Sequence, residues 1–292
     1  MVLPNFMCIG AQKAGTTTLF DVLKNHPDVF LPASKEAHYY DIDDRYFKGL
    51  QWWSETFFKN YNNQKAVGVI TPEYLFYPDV PERIHRDFNN NMKFIVLLRD
   101  PVKRAYSHYL MTKSRGLESD SFQVAINKEA IRIKNGDDSF NHYSYTSRSF
   151  YSEQVARYFK LFPVENFLFL IFEEDIVSNL LIGVNKVCDF LEIEKFNNIS
   201  LVRSNEAYLP KYPSINKLLY TQNIAKRIIR LLIPVKRVRD AFSRFIDKNN
   251  RKPFFDSKLK YDEYRMVRED FFSIEINALE SLLKRNLHIW RI

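Results

Sequence analysis

The apolar positions of this chain form short continuous runs, and segments with helical patterns lie between them. Four runs have the composition of strands that are buried on both faces: 6–9, 66–70, 93–98 and 167–175. Helical patterns cover 16–25, 81–88, 101–113 and 261–285. Buried strands that alternate with helices predict an α/β fold in which a central parallel sheet is flanked by helices.

The composition is that of a globular protein, with 46% hydrophobic and 27% charged residues in a chain of 292. No internal repeat or low-complexity linker divides the chain, so we predict a single domain over 1–292. The chain has two cysteines, Cys8 and Cys188, which form no CxxC metal motif and do not indicate a disulfide framework. No signal peptide precedes the first strand and no apolar run approaches 18 residues, so we expect a soluble, cytoplasmic protein.

The formal net charge is +8, and one region carries most of the excess. Residues 201–252 hold 13 Lys and Arg against 3 Asp and Glu. Such asymmetry is typical of proteins with an acidic partner, such as a phosphorylated cofactor, an acidic glycan, anionic lipid or nucleic acid, but also of solvated helices. Within this region, 224–239 is basic and partly amphipathic, as a helix on an anionic membrane would be, although Pro234 interrupts it.

A glycine loop follows the first apolar run and reads GAQKAGTTT, residues 10–18. A strand, a glycine loop and a helix form an anion-binding turn, because backbone N–H groups at the helix start point at the anion. The nucleotide loop GxxxxGK[ST] has its lysine after the second glycine, where this chain has Thr16, and the lysine here is Lys13, inside the loop. The structural alternative is a strand-to-helix turn capped by threonine.

A second candidate anion site follows the strand at 93–98. Arg99 comes at the carboxyl end of that strand, which is the edge where open α/β sheets bind ligands. Ser107 lies two turns along the next helix, so the pair would make a phosphate cradle. Asp100 would hold Mg²⁺ in a P-loop kinase or NTPase, but Pro101 directly after it indicates a helix cap.

The segment SKEAHYYD, residues 34–41, contains a candidate general base. Glu36 and His38 are two residues apart, so their side chains share a face if the segment is extended. A glutamate and a histidine near a phosphate-type site can accept a proton from a substrate hydroxyl. The structural alternative is a pair of surface residues beside two tyrosines.

Taken together, these segments resemble a known family. The motifs IGAQKAGTTTL, KEAHYYD, TPEYLF, LLRDPVKRAYSHY, SFYSEQVARYFKLFP and LESLLKRNLHIW occur in the order typical of PAPS-dependent sulfotransferases. The chain looks most like the carbohydrate branch, which includes heparan sulfate sulfotransferases and many bacterial relatives. The resemblance covers about residues 3–190, returns at the C-terminal helix and is weak over 195–255.

The resemblance implies a P-loop-like three-layer fold and the donor 3′-phosphoadenosine 5′-phosphosulfate (PAPS), with no metal requirement. The acceptor would be a hydroxyl or amine of a glycan, a glycolipid or a small metabolite, and no nucleic-acid partner is expected. Glu36 would be the base, with His38 and Asp41 at neighbouring active-site positions. The implied donor-binding residues are Lys13 at the bridging or sulfuryl oxygens, Ala14, Gly15, Thr16, Thr17 and Thr18 in the loop, and Arg99 and Ser107 at the 3′-phosphate.

Further donor contacts implied by the resemblance come from Tyr151 in the motif RSxY, and from Arg203 and Lys211 in a turn-rich segment. One position departs from the pattern. Glycan enzymes of this branch often carry Glu-Lys before TPxY, with the lysine at the active site, and this chain has Val69-Ile70. Lys13 alone, His38 or a residue of the basic region could supply the missing cation, or the acceptor could differ.

Two other classes of function are alternatives to a sulfotransferase. A P-loop kinase or NTPase needs a lysine after Gly15 and a carboxylate for Mg²⁺. A binding module for acidic surfaces would depend on the basic region 201–252.

Overall fold

A computed structural model describes residues 1–199, 208–212, 214–216, 239, 242–243, 245–246, 249–253 and 259–291. Arg203 and all of 224–239 except its last residue, for which predictions were made above, lie outside the described residues.

The described elements alternate as the sequence predicts. The strands are β1 Phe6–Gly10, β2 Val29–Phe30, β3 Ala66–Ile70, β4 Lys93–Leu98, β5 Phe167–Ile171, β6 Tyr208–Pro210 and β7 Arg251–Pro253. The first six helices are α1 Thr16–Leu23, α2 Asp43–Tyr46, α3 Gly49–Phe57, α4 Val80–Phe88, α5 Pro101–Ser114 and α6 Phe122–Arg132. The later helices are α7 Asp137–Tyr143, α8 Tyr151–Phe159, α9 Leu180–Leu191, α10 Tyr261–Val267 and α11 Ser273–Leu283.

Five strands form one parallel sheet in the order β2-β3-β1-β4-β5. Every residue of β1 and β3 is buried, as expected for strands covered on both faces. In the register Phe6 lies opposite Gly68, where a Cβ atom would come within 2.1 Å of the Phe6 ring. The predicted α/β fold with a central parallel sheet flanked by helices is confirmed.

The strand order places β1 at a switch point, because β3 pairs with one of its edges and β4 with the other. Ligands of open α/β sheets bind outside the carboxyl ends of the strands at such a point. The loop after β1 therefore lies between the segments that follow β3 and β4. These three segments contain the loop 10–18, the motif TPEYLF and Arg99.

Two predicted elements differ in the structure. The run 167–175 is a strand only to Ile171, and a π-helical turn, Phe172–Ser178, follows. The carboxylate of buried Asp175 accepts a hydrogen bond from the Ile171 backbone N–H at 2.6 Å, which folds the acidic end of the run back onto the strand. The predicted helix 261–285 is divided into α10, a π-helical turn at Arg268–Phe272, and α11.

The chain divides into two compact units. The first comprises Met1–Arg104, Arg148–Val202 and Arg268–Ile292 and contains the parallel sheet. The second comprises Ala105–Ser147 and Arg203–Val267. The prediction of a single domain over the whole chain stays a prediction.

The second unit has its own buried polar centre. Buried Glu129 accepts four hydrogen bonds, from the backbone N–H and the hydroxyl groups of Thr146 and Ser147. Strands β6 and β7 form an antiparallel pair in the same unit. Among the described residues, no helix combines the length and the apolar character needed to cross a bilayer, and the cytoplasmic location stays a prediction.

Candidate active site

The loop between β1 and α1 has the geometry of an anion site. Gly15 is the N-cap of α1 with φ +95°, and a Cβ atom there would lie 2.7 Å from the Phe172 ring. No side chain caps the helix, and its first turn contains no acidic residue. The N–H groups of Thr16 and Thr17 therefore face neither a side-chain cap nor a first-turn carboxylate. The start of α1 can thus accept a negatively charged ligand.

Arg99 lies against this loop. Its Nη1 donates to the Lys13 carbonyl oxygen at 3.0 Å, and its guanidinium stacks on the Phe172 ring at 4.7 Å. Burial lowers the pKa of Arg99, although Glu173 opposes this effect. The Arg99 Nε atom is buried and has no hydrogen-bond partner among the described residues. This spare donor fits a further anionic oxygen.

Tyr151 contacts the backbone of Arg99. The ring is fully buried, and the hydroxyl donates to the Arg99 carbonyl oxygen at 2.9 Å. In this arrangement Tyr151 fixes the backbone that carries the guanidinium. A direct contact between Tyr151 and the donor stays a prediction.

Asp100 is a helix cap, as Pro101 indicates. Its Oδ1 accepts from the backbone N–H groups of Val102 and Lys103, at 2.9 and 3.1 Å. The side chain is fully buried and its other oxygen lies 3.5 Å from the Lys103 ammonium. Because both oxygens are engaged, Asp100 does not offer the Mg²⁺ ligand that a kinase or NTPase needs.

Glu36 and His38 come together in a cluster of charged groups. His38 Nε2 lies 3.4 Å from Glu36 Oε2, and His38 Nδ1 lies 2.6 Å from Asp41 Oδ2. The segment is not a strand, and His38 has φ +48°, but the two side chains still meet. Burial lowers the pKa of His38, but the bonds to Asp41 and Glu36 outweigh it and raise this pKa to about 10.

Glu36 is held in its ionised form. Burial raises its pKa, but the hydrogen bond to His38 and the charge of Lys35 outweigh burial and keep the pKa below the usual range of a carboxyl. The carboxylate is therefore charged at neutral pH.

Glu73, in the motif TPEYLF, is a site residue that was not predicted from the sequence. Glu73 Oε1 accepts from Gln12 Nε2 at 2.8 Å, and burial together with the charge of Glu36 raises the Glu73 pKa. Its Oε2 and Asp41 Oδ1 are buried without a hydrogen-bond partner among the described residues. The position of Glu73, just beyond the carboxyl end of β3 and beside β1, is a signal that could have identified it.

Glu36, His38 and Glu73 also resemble a metal site, since one ligand atom from each lies within 4.8 Å of the others. However, both ring nitrogens of His38 already contact carboxylates, so a metal would have to displace a bound proton. The prediction that no metal is required stays a prediction.

Lys35 is the second residue of the cluster that was not predicted from the sequence. Its ammonium donates to Thr17 Oγ1 at 3.0 Å, to Thr16 Oγ1 at 3.4 Å and to Glu36 Oε1 at 3.0 Å. It therefore connects the anion loop with the charged cluster. Its place directly before Glu36 was the available signal.

Two of the predicted donor-binding residues belong to the second unit. Ser107 lies on α5 within the second unit, and Lys211 is exposed in the same unit. Val69 and Ile70 are fully buried in β3, so this strand end supplies no cation. The roles of Ser107 and Lys211 in binding stay predictions.

Comparison with known proteins identifies the class that this fold and site define. Residues 3–222 match the family described as Sulfotransferase domain, so the chain belongs to the sulfotransferase family and the resemblance seen in the sequence is confirmed. The fold is similar to that of a sulfotransferase from Alicyclobacillus acidocaldarius, with a TM-score of 0.70 and 24% identity over 100% of both chains.

Two relatives show the extent of the similarity. The chain is 32% identical over 165 residues to heparan sulfate glucosamine 3-O-sulfotransferase 5 of Mus musculus, covering 56% of this chain and 46% of that protein. It is 37% identical over 143 residues to the membrane-associated sulfotransferase kil1 of Dictyostelium discoideum, covering 46% of this chain and 30% of that protein. The matches thus span about half or less of these relatives.

Proposed function

We propose that this protein transfers a sulfuryl group from PAPS to a hydroxyl or amine of a carbohydrate, glycolipid or small-metabolite acceptor. One observation supports this proposal: the first unit brings together an anion-binding loop, an arginine N–H group without a hydrogen-bond partner among the described residues, and an ionised carboxylate. The loop carries Lys13, Arg99 contacts the loop backbone, and Glu36 contacts it through Lys35. The kinase alternative is not favoured, because Asp100 is a helix cap.

The described residues fit a phosphosulfate group. PAPS would supply the sulfuryl group, already attached to a phosphate that is a good leaving group. Lys13 and the loop 14–18 would bind the 5′ end, because the N-terminus of α1 is uncapped and has no acidic residue in its first turn. The buried Nε of Arg99 would donate to the 3′-phosphate, and Tyr151 would hold Arg99 in place.

Glu36 is favoured over His38 as the base. An imidazolium whose two nitrogens both contact carboxylates has no lone pair with which to accept a proton. Glu36 is ionised and its side chain is 34% exposed, so it can accept a proton from an acceptor hydroxyl. Sulfuryl transfer, like phosphoryl transfer, depends chiefly on positioning and charge stabilisation, so late proton removal by a weak base is sufficient.

The acceptor is expected to carry several hydrogen-bond donors. Buried oxygens of Asp41 and Glu73 lack partners among the described residues, and an acceptor hydroxyl or ammonium group would satisfy them. One relative is named a heparan sulfate glucosamine 3-O-sulfotransferase, which supports a glycan among the candidates. Ile70 in place of the expected lysine argues for an acceptor that differs from heparan sulfate.

Isothermal titration calorimetry tests the proposal without knowledge of the acceptor. 3′-Phosphoadenosine 5′-phosphate should bind about 10- to 100-fold more tightly than adenosine 5′-monophosphate, since charged hydrogen bonds to the 3′-phosphate are each worth about 1.5–3 kcal/mol. Arg99→Ala should remove most of this difference. Arg265→Ala, at an exposed arginine, is the matched control and should retain it. Equal affinities of the wild-type protein for both nucleotides would refute the proposal.

A further inference from the structure

Lys35 lies between the threonine hydroxyls at the start of α1 and the carboxylate of Glu36. Its ammonium contacts the hydroxyls of Thr16 and Thr17 in the first turn of α1, and also the carboxylate of Glu36. The side chain is 21% exposed, so most of it is removed from solvent. All four residues belong to the first unit.

The contacts of Lys35 determine what the threonines can do. An ammonium group only donates hydrogen bonds, so both hydroxyl oxygens act as acceptors toward Lys35. The hydroxyl protons of Thr16 and Thr17 are then left to donate to another acceptor. An ammonium donor polarises a hydroxyl and strengthens the bond that the hydroxyl donates. Lys35 thus prepares two donors at a helix N-terminus for an anion.

The charge balance of the cluster also depends on Lys35. Glu36, Asp41 and Glu73 are three acidic groups close together, and His38 contacts two of them. An anionic ligand at α1 would be repelled by these acids unless a cation lay between. Val69 and Ile70, at the end of β3, are buried and uncharged. Lys35 lies in the required place, with Thr17 on one side and Glu36 on the other.

We propose that Lys35 is a positioning residue that orients the threonine hydroxyls toward the 5′ end of the nucleotide and shields that end from Glu36. This inference rests on the proposed function, because it assigns the 5′ end to the loop. Lys35 would replace, from a different segment, the cation that Ile70 does not provide.

The test compares Lys35→Met and Lys35→Arg with Lys24→Met in calorimetric titrations. Lys24 is an exposed lysine at the other end of α1, paired with Asp21, so its replacement removes the same charge away from the loop. Lys35→Met should weaken binding of 3′-phosphoadenosine 5′-phosphate about 10-fold, because the threonine hydroxyls lose their orienting partner and the 5′-phosphate loses its shield from Glu36. Lys35→Arg should recover part of the affinity, and Lys24→Met should bind as the wild type does.

A second ligand separates positioning from a general loss of structure. Adenosine 3′-monophosphate lacks the 5′-phosphate, so competition titrations should give the same affinity for wild type and Lys35→Met. Equal weakening of both ligands, or no weakening of either, would overturn the inference. Failure of the proposed function would appear differently, as a wild-type protein that binds 3′-phosphoadenosine 5′-phosphate no better than adenosine 5′-monophosphate.

Discussion

Replacement of His38 by asparagine would test whether a protonated imidazole holds the charged cluster beside Glu36. An asparagine amide can still donate to Asp41, but it removes the charge that faces Glu36. Burial lowers the pKa of His38, yet its bonds to Asp41 and Glu36 raise this pKa from 6.5 to about 10 in the folded protein. The folded state therefore holds the proton more tightly than the unfolded chain does.

The sign and size of the effect follow from this shift. The stabilisation by His38 is complete below pH 6.5 and is lost as the pH rises through about 10. One pKa unit corresponds to about 1.4 kcal/mol, so the full shift gives an upper bound of about 5 kcal/mol. The side chain is 26% exposed, and solvent screening reduces the effect. We expect the stability advantage of wild type over His38→Asn to fall by about 2 kcal/mol between pH 6.5 and 9.5.

Urea unfolding at constant ionic strength, at pH 6.5, 8 and 9.5, measures this difference. The control is His288→Asn, which makes the same replacement at an exposed histidine outside the charged cluster. If the advantage of wild type over His38→Asn is the same at pH 6.5 and 9.5, His38 carries no additional proton in the folded state. The assignment of Glu36 as the base would then lose its main support.

Three further predictions concern other parts of the site. Glu36→Gln should lower turnover at least 10-fold with any active acceptor while calorimetry shows that nucleotide affinity is not weakened, because an amide cannot accept the proton; full activity would place the base elsewhere. Gly15→Ala should weaken nucleotide binding and lower the melting temperature, since φ is +95° and the Cβ would lie 2.7 Å from Phe172; wild-type values for both would show that the loop adapts. Asp100→Ala should cost about 1 kcal/mol in urea unfolding through loss of the α5 cap, and an unchanged free energy would contradict that role.

The elements that the sequence predicts best are those that the hydrophobic pattern alone determines. β3 and β4 have the bounds predicted from the sequence, because apolar residues fill both faces of a strand buried in the sheet, and Lys93 lies only at the start of β4. The approach of Arg99 to the loop was also foreseeable, since both follow the carboxyl ends of adjacent parallel strands.

The parts that were missed depend on contacts between distant segments. Lys35 reaches Thr17 across 18 positions, and Glu73 reaches Gln12 across 61, so neither partner is evident from local spacing. The predicted end of β5 was wrong because the Ile171 N–H group donates to the buried carboxylate of Asp175 and not to a neighbouring strand. A hydrophobic pattern does not show which side chain will satisfy a backbone group.

Phe172 has a consequence for how variants of this protein should be interpreted. Its ring occupies the space that a Gly15 side chain would need, and it lies under the Arg99 guanidinium. A smaller residue at 172 would loosen both the loop 10–18 and the Arg99 side chain, although the ring itself carries no charge. In a screen for lost nucleotide affinity, Phe172 should therefore score like a binding residue. Substitutions at 15, 99 and 172 should show non-additive effects, because all three share one contact surface.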